Sequence, residues 1–319
     1  MRIIITGASG LLGSNIALSA RSKGHEVLGT YNSHKLRDNR HFFRFDLLEP
    51  TKHGASRIIS FKPDCIVHCA AITNLDFCEN YPDLAMRVNV DGSRIMAQLA
   101  DEAGCKFILI STDSVFDGTR PNHNEGEPVS PLNIYAKSKC GAEEAARSLK
   151  NHAIIRTNFY GFSICSMKSY GEWLYGFFMH SKRIPAFTDY FFSPVLANNL
   201  AEALLELASS SFTGTLNIAS DARLTKYDFA HRFAAAFSFD PRLIDAAKMS
   251  DREDFIAPRP KDCSLDASKA KQVLLTPLLG IDEGILRFKG LLEEGYPAKI
   301  KHMWAQPHQE LPPHSDRKA

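Results

Sequence analysis

Tyr135 and Lys139 stand four residues apart in Ile134-Tyr135-Ala136-Lys137-Ser138-Lys139. On a helix that spacing puts both side chains on one face, a turn apart. A free phenol has a pKa of about 10 and exchanges its proton reluctantly at neutral pH. A nearby ammonium favours the phenolate and lowers that value. The pair therefore predicts proton transfer: Tyr135 protonates a carbonyl oxygen as hydride arrives, or deprotonates an alcohol in reverse. Lys139 tunes it and hydrogen-bonds a nicotinamide ribose. YxxxK pairs also recur on ordinary surface helices, so the surrounding chain decides what this one means.

Two other groups give it that context. Ser111-Thr112 ends the apolar run that begins at Lys106. It would sit at the carboxyl edge of a strand, where doubly wound sheets bind ligands, with Thr112 donating to a substrate oxygen. Near the N-terminus, Thr6-Gly7-Ala8-Ser9-Gly10-Leu11-Leu12-Gly13 follows one strand and opens a helix. Gly7 would make the turn, Gly10 would allow close backbone approach, and Gly13 would let helix and strand pack. A pyrophosphate then faces free N–H groups at the positive helix end, with Ser9, Leu11 and Leu12 around it. The spacing is GxxGxxG rather than GxGxxG.

The ribose 2′ position is read at the end of the second strand, where an acid would repel a phosphate. Thr30-Tyr31-Asn32-Ser33-His34-Lys35 holds none, and Arg37 follows. The expected cofactor is NADP(H), with NAD(H) as the alternative. Asp46-Leu47 would lie near the adenine, or Asp46 would cap a turn.

These groups need a scaffold. Strands are expected at Arg2–Thr6, Glu26–Tyr31, Phe42–Asp46, Cys65–Ala71, Lys106–Thr112 and Ala153–Thr157. Helical patterns run over Leu11–Lys23, Pro82–Ala103 and Ile134–Lys150. Apolar strands alternating with helices predict an α/β fold, a doubly wound, Rossmann-like parallel sheet with a smaller C-terminal substrate-binding region. Residues 1–165 form the dinucleotide-binding part, with a later return of the chain near 195–220. Residues 166–295 form the substrate-binding part, and 296–319 a loose tail. In the second half a helix near Leu196–Ser209, a strand near Thr215–Ala219 and a helix near Tyr227–Phe237 are expected.

The bulk numbers exclude several classes. A net charge of +2 over 319 residues gives no basic excess for nucleic acid. No stretch approaches the ~20 apolar residues that span a bilayer. The seven cysteines, at 65, 69, 78, 105, 140, 165 and 263, include no CxxC pair. Reduced thiols, and hence a soluble cytoplasmic protein, are the expectation. The histidines form neither HxH nor HExxH, so no metal site is expected.

The residues resemble the extended short-chain dehydrogenase/reductase family. The glycine loop, Cys69-Ala70-Ala71, Val88-Asn89-Val90, Ser111-Thr112 and Tyr135 with Lys139 carry the likeness. Within it, the dTDP-4-dehydrorhamnose reductase branch is most similar. The stretches are Ala70-Ala71-Ile72-Thr73, Ile110 to Gly118, Ser130 to Tyr135, Arg156-Thr157 and Arg259 to Asp266. The resemblance implies cofactor contacts from Gly10, Leu11, Leu12, Asp46, Leu47, Ala71, Ile72 and Thr73. Ala70, in the same run, and Asn32 complete the expected cofactor set with Gly7, Ser9, Gly13, Tyr135 and Lys139. It implies that Thr112, Tyr135 and Lys139 act on a 4-keto sugar, and that Asp113, Ser114 and Phe159 lie on the substrate side. The implied reaction is NADPH-dependent reduction of the C4 ketone of a nucleotide-activated 6-deoxy sugar, dTDP-4-dehydrorhamnose to dTDP-L-rhamnose. A homodimer is the usual assembly of that family.

Two departures fall on the substrate side. Ser114 stands where the family has tyrosine, and Phe159 where it has a tryptophan that packs on the sugar. An epimerase would share the fold and the Tyr/Lys pair. A 4,6-dehydratase would show Thr-Asp-Glu, where this chain has Thr112-Asp113-Ser114. Some proteins resembling this branch are non-catalytic, NADP-binding regulatory subunits. The cluster Phe187, Tyr190, Phe191 and Phe192 reads as pocket lining, core or dimer contact. Trp173, Tyr175, Phe177 and Phe178 read as a buried helix or a lid. Arg259 and Lys261 read as diphosphate ligands or a solvated loop.

Overall fold

Successive side chains of the central strands go to opposite layers. In β1 (Arg2–Thr6), Ile3 and Ile5 join one hydrophobic cluster and Ile4 the other. That is the period of two expected of a strand covered on both faces. The computed structural model describes residues 1–164 and 169–304 of the chain. After β1 come α1 (Leu11–Ser22), β2 (Glu26–Tyr31), β3 (Phe42–Arg44), α2 (Lys52–Ser60), β4 (Cys65–His68) and α3 (Leu75–Asn80). Then follow α4 (Pro82–Met86), α5 (Gly92–Glu102), β5 (Lys106–Ile110), α6 (Ile134–Arg147) and β6 (His152–Thr157).

The chain then leaves the sheet. It forms β7 (Phe159–Tyr160), α7 (Tyr170–Met179), β8 (Ile184–Phe187), β9 (Phe191–Phe192), β10 (Val195–Leu196) and α8 (Ala197–Ser209). It returns as β11 (Gly214–Ile218), which pairs in parallel with β6. The finished sheet has seven strands in the order β11-β6-β5-β4-β1-β2-β3. Every pairing in it is parallel. The remainder adds β12 (Leu224–Thr225), α9 (Lys226–Phe237), β13 (Ile244–Ala247), α10 (Ser268–Val273), α11 (Ile281–Glu293) and α12 (Tyr296–Trp304).

Beyond the sheet an annex has its own aromatic core. Phe162 stacks on Phe288 with ring centres 4.1 Å apart, and Tyr160 meets Phe229 edge-on at 5.0 Å. Such pairs add to the area they bury. Phe178 is buried in this core and Trp173, Tyr175 and Phe177 pack against it, so α7 is a core helix rather than a lid.

Several expected boundaries move. β3, β4 and β5 stop two or three residues early, at Arg44, His68 and Ile110. The residues beyond them turn out of the sheet to form the loops of its carboxyl edge. The helix expected over Pro82–Ala103 is interrupted by a π-turn at Arg87–Asp91. Helices α2 and α3 carry no long apolar stripe and were not expected. Residues 296–304, expected to be loose, form α12, and the Tyr296 hydroxyl donates to Asn15 at 2.8 Å. Residues 305–319 and Cys165 lie outside the described residues. Cys65, Cys69, Cys78, Cys105, Cys140 and Cys263 are free thiols. Among the described residues no helix is long and apolar enough to cross a membrane.

Candidate active site

The loop after β1 is shaped for a close ligand. Gly7 has φ +65°, and a Cβ there would stand 2.9 Å from the backbone of Ala70. A Cβ at Gly13 would overlap the Gly7 carbonyl, so α1 could not start so near β1. Gly10 is the N-cap of α1, with no side-chain cap and no acid in the first turn. Helix geometry leaves the amides of Leu11, Leu12 and Gly13 without an intrahelical acceptor. Ser14 is the first to find one, at Gly10, 3.0 Å away. The result is an uncapped positive helix end at a glycine turn, which fits a dinucleotide pyrophosphate.

The groups expected to react come from the loop after β5 and from α6. Asn133 caps α6, accepting from the Ala136 amide at 2.8 Å, and its Nδ2 donates to Pro258 O at 2.8 Å. One bond starts the helix and the other holds the annex against it. Tyr135, Lys139 and Thr112 all line one cleft of about 540 Å³, together with Gly7, Gly10 and Gly13. Lys139 Nζ donates to Ile110 O at 2.7 Å, and burial lowers its pKa to about 8 despite the opposing charge of Glu143. Burial pushes the Tyr135 phenol well above its ordinary value, against a hydrogen bond with Thr112 that pulls it down. The expected acidification by Lys139 is therefore not what dominates here. One of the three N–H donors of the amine goes to that carbonyl, and the phenol is protonated at neutral pH.

Two buried networks hold these groups. The Ser111 hydroxyl donates to Glu143 Oε1 at 2.7 Å, and Arg156 clasps the same carboxylate at 3.0 and 2.8 Å. Burial would raise Glu143, but Arg156 holds it below the usual carboxylate range. On the other side, Asn89 sits in the π-turn. It accepts from Ile72 N at 2.8 Å and donates to Ile72 O at 2.9 Å and to Ser138 Oγ at 2.8 Å. Ser138 in turn donates to Tyr135 O at 2.7 Å. The extra residue of a π-turn is what aims Asn89 inward.

The substrate side is built around Asp113. Its Oδ1 accepts from Thr112 at 3.0 Å and Ser114 at 3.2 Å, and its Oδ2 from Asn158 at 2.8 Å. Burial raises its pKa, and these donors with Lys226 oppose the rise. Ser114, Phe159, Phe187 and Tyr190 line the cleft beside it. Phe191 instead lies under the Arg223 guanidinium at 3.6 Å, and Phe192 is buried in the annex core. Arg259 lines the cleft and donates to Asp76 of α3 at 2.8 Å, joining annex to sheet across it.

The cleft gathers most of the expected residues, but not all. Leu11, Leu12, Ala71 and Thr73 line it, while Ser9, Ala70 and Ile72 are not among its lining residues. Asn32 is exposed at the end of β2, where its Oδ1 accepts from Arg44 Nε at 3.3 Å. Asp46 accepts from Leu48 N at 3.0 Å and from Arg44 at 3.1 Å. Leu47 is buried. Lys261 lies outside this cleft, in a second, shallower groove with Arg120 and Arg223. Sequence reasoning gave no role to Asn89, quoted only within Val88-Asn89-Val90, nor to Glu143, Asn158 and Lys226. Of these only Glu143, four residues after Lys139 on the same helix face, left a signal in the spacing.

The family described as RmlD substrate binding domain matches residues 1–288. A probable low-salt glycan biosynthesis reductase, Agl14, of Haloferax volcanii is 32% identical over 276 residues, covering 85% of this chain and 91% of its own. Methionine adenosyltransferase 2 subunit beta of Mus musculus is 31% identical over 316 residues, covering 96% of this chain and 90% of its own. Among solved structures, a hypothetical dTDP-4-dehydrorhamnose reductase from Sulfolobus tokodaii superposes with a TM-score of 0.78 at 31% identity. That match covers 89% of this chain and 99% of the other.

Proposed function

The chain belongs to the RmlD substrate-binding domain family, and we propose that within it the protein is an NADPH-dependent reductase of a nucleotide-activated 4-keto sugar. The preferred substrate is a deoxythymidine-diphosphate 6-deoxy-4-keto sugar, with dTDP-4-dehydrorhamnose giving dTDP-L-rhamnose as the first candidate. The observation that carries this reading is the Tyr135 phenol in one cleft with Thr112, Lys139 and the glycine loop.

The chemistry runs in the reducing direction. The glycine loop and Lys139 would hold a nicotinamide dinucleotide, which when bound would supply hydride to the ketone carbon. Thr112 and Tyr135 hold the ketone oxygen, and Tyr135 gives it a proton as negative charge develops there. The phenol is protonated at neutral pH and so has the proton to give; burial makes it a weaker acid than a free phenol, and its hydrogen bond with Thr112 opposes that. Lys139 positions the ribose and keeps positive charge near the phenolate left behind. NADPH is favoured because the end of β2 carries no acid of its own. Parallel pairing of Tyr31 with Arg44 also brings a guanidinium to that edge.

The likeness to methionine adenosyltransferase 2 subunit beta over nearly the whole chain supports a second reading, a nucleotide-binding subunit of another enzyme. One experiment separates the two. Purified protein is offered dTDP-, UDP- and GDP-linked 4-keto sugars with NADPH, and absorbance at the NADPH band is followed. Stoichiometric consumption supports the reductase. Tight NADPH binding with no consumption on any sugar supports the subunit. Turnover of a sugar without net consumption indicates an epimerase.

A further inference from the structure

Lys226 opens α9 and lines the same cleft as Thr112 and Tyr135. Its Nζ lies 3.7 Å from the ring centre of Phe192, 4.1 Å from Tyr170 and 5.5 Å from Tyr190. The other amines inside this protein are given oxygen. Lys106 donates to Ser210 O at 2.9 Å and Phe212 O at 2.8 Å, and Lys139 to Ile110 O. Among the described residues Lys226 Nζ has no such acceptor, yet it is not sealed from the cleft. Aromatic faces stabilise an ammonium without taking its N–H donors one by one. The cage therefore fixes the amine, shields one side of it, and leaves donors for whatever enters the cleft.

The position limits what that is. Asp113 is close enough for its charge to act on both Tyr135 and Lys226. Asp113 also follows Thr112 directly in sequence. A carboxylate offers about four lone-pair sites; Ser114 and Asn158 occupy two of them, and Thr112 a third until its single hydroxyl proton turns to the ketone oxygen. A diphosphate here would meet the Asp113 charge. A hydroxyl can instead accept from the amine and donate to the carboxylate. Thr112, Asp113, Tyr135 and Lys226 line one cleft, so with the ketone oxygen held at Thr112 and Tyr135, a hydroxyl that Asp113 and Lys226 share would sit close to the ketone carbon.

We propose that Lys226 is a specificity-determining residue, which together with Asp113 recognises a hydroxyl on the sugar carbon next to the ketone. The proposal rests on the reductase reading above. Sugars carrying that hydroxyl are the preferred class, and analogues deoxygenated there are poor substrates. The amine also sets a pH dependence. Burial lowers its pKa to about 7, while Asp113 and Cys263 oppose that shift. The phenols of Tyr170 and Tyr190 face it as neutral groups, since burial raises both. Recognition should weaken as pH rises through about 7.

The test compares wild type with Lys226→Met, which keeps an apolar stem in the cage, and Lys226→Arg, which keeps the charge. Loss of a charged hydrogen bond should raise the sugar KM about 10- to 100-fold in Lys226→Met. kcat and the NADPH dissociation constant should hardly move, and Lys226→Arg should recover most of the loss. The limb near pH 7 in kcat/KM should vanish in Lys226→Met. With the deoxy analogue, wild type and Lys226→Met should perform alike. An unchanged sugar KM, or an equal loss with the analogue, overturns the proposal. If wild type reduces no sugar, the reductase reading fails separately, and equilibrium binding decides this one. Lys226→Met should then weaken a dTDP-hexose but not dTDP alone. Equal binding of the hexose by both proteins, or none by either, overturns it.

Discussion

Glu143 and Arg156 meet side-on inside the protein, with the guanidinium 3.0 and 2.8 Å from the two carboxylate oxygens. The arginine is 2% exposed and the glutamate 0%, so neither has water to fall back on. Ser111, at the end of β5, hangs from the same carboxylate. The pair is thus the floor on which the edge bearing Thr112 rests.

Arg156→Met should destabilise the fold by about 3–5 kcal/mol, because it strands a buried carboxylate. Arg147, half exposed at 2.7 Å, can compensate only in part. Replacing both partners, as Glu143→Leu with Arg156→Met, should recover part of that loss. Urea unfolding of the three proteins tests this. A single variant that loses less than about 1 kcal/mol would show that the pair is not structurally important.

Tyr135→Phe removes only the hydroxyl, at a site that is already buried. The rate of ketone reduction should drop by about 10²–10⁴, the usual contribution of a positioned acid. NADPH binding, read by fluorescence, should be nearly unchanged. Turnover at the wild-type rate would take the tyrosine out of the chemistry.

Lys139 carries charge below about pH 8 and loses it above, since burial lowers its pKa. Reduction should therefore slow as pH rises past that value. Lys139→Arg should keep activity flat across it, because a guanidinium stays charged. A wild-type profile with no alkaline limb up to about pH 9.5, still short of the ordinary lysine pKa, would contradict this assignment.

His68 is buried between Thr6 Oγ1 at 2.7 Å and Ser93 Oγ at 3.2 Å, and burial lowers its pKa from 6.5 to about 3. Between those values the unfolded chain takes up a proton that the folded protein refuses. Stability should fall on acidification through this window by up to about 1.4 kcal/mol per pH unit. Chemical denaturation at pH 4, 5, 6 and 7 measures the slope, and His68→Gln should flatten it. An identical slope in the variant would assign the effect to other groups.

Arg44→Ala should raise the KM for NADPH several-fold and leave that for NADH alone. The loss should shrink at high salt, since the side chain is exposed and its charge is screened there. Equal changes for both cofactors would mean that Arg44 does not read the 2′ position.

The sheet was legible because its strands are covered on both faces, so Ile3-Ile4-Ile5 or Phe107-Ile108-Leu109 reads as an unbroken apolar run. The glycine loop and the Tyr135–Lys139 spacing were legible because helix and turn geometry is local. The substrate side was not. Tyr190 and Arg259 stand in connecting loops, and Lys226 is the first residue of α9; such positions have no period to read, and the fold alone brings them together. Asn89 was hidden because a π-turn leaves the apolar pattern of Pro82–Ala103 almost undisturbed. Spacing along the helix made Tyr135 and Lys139 neighbours, but the burial that shifts both their pKa values leaves no mark in that spacing.

The edge strand β11 reaches the sheet only after the chain has gone through the annex and back. A ribosome therefore releases β6 with its outer hydrogen-bonding edge open, and most of β7 to α8 must emerge before that edge closes. No single protease cut or gene truncation separates the two halves. Removing everything after residue 165 would leave a strand built for burial exposed to other chains. Grafting this annex onto another nucleotide-binding sheet would require splicing on both sides of β11.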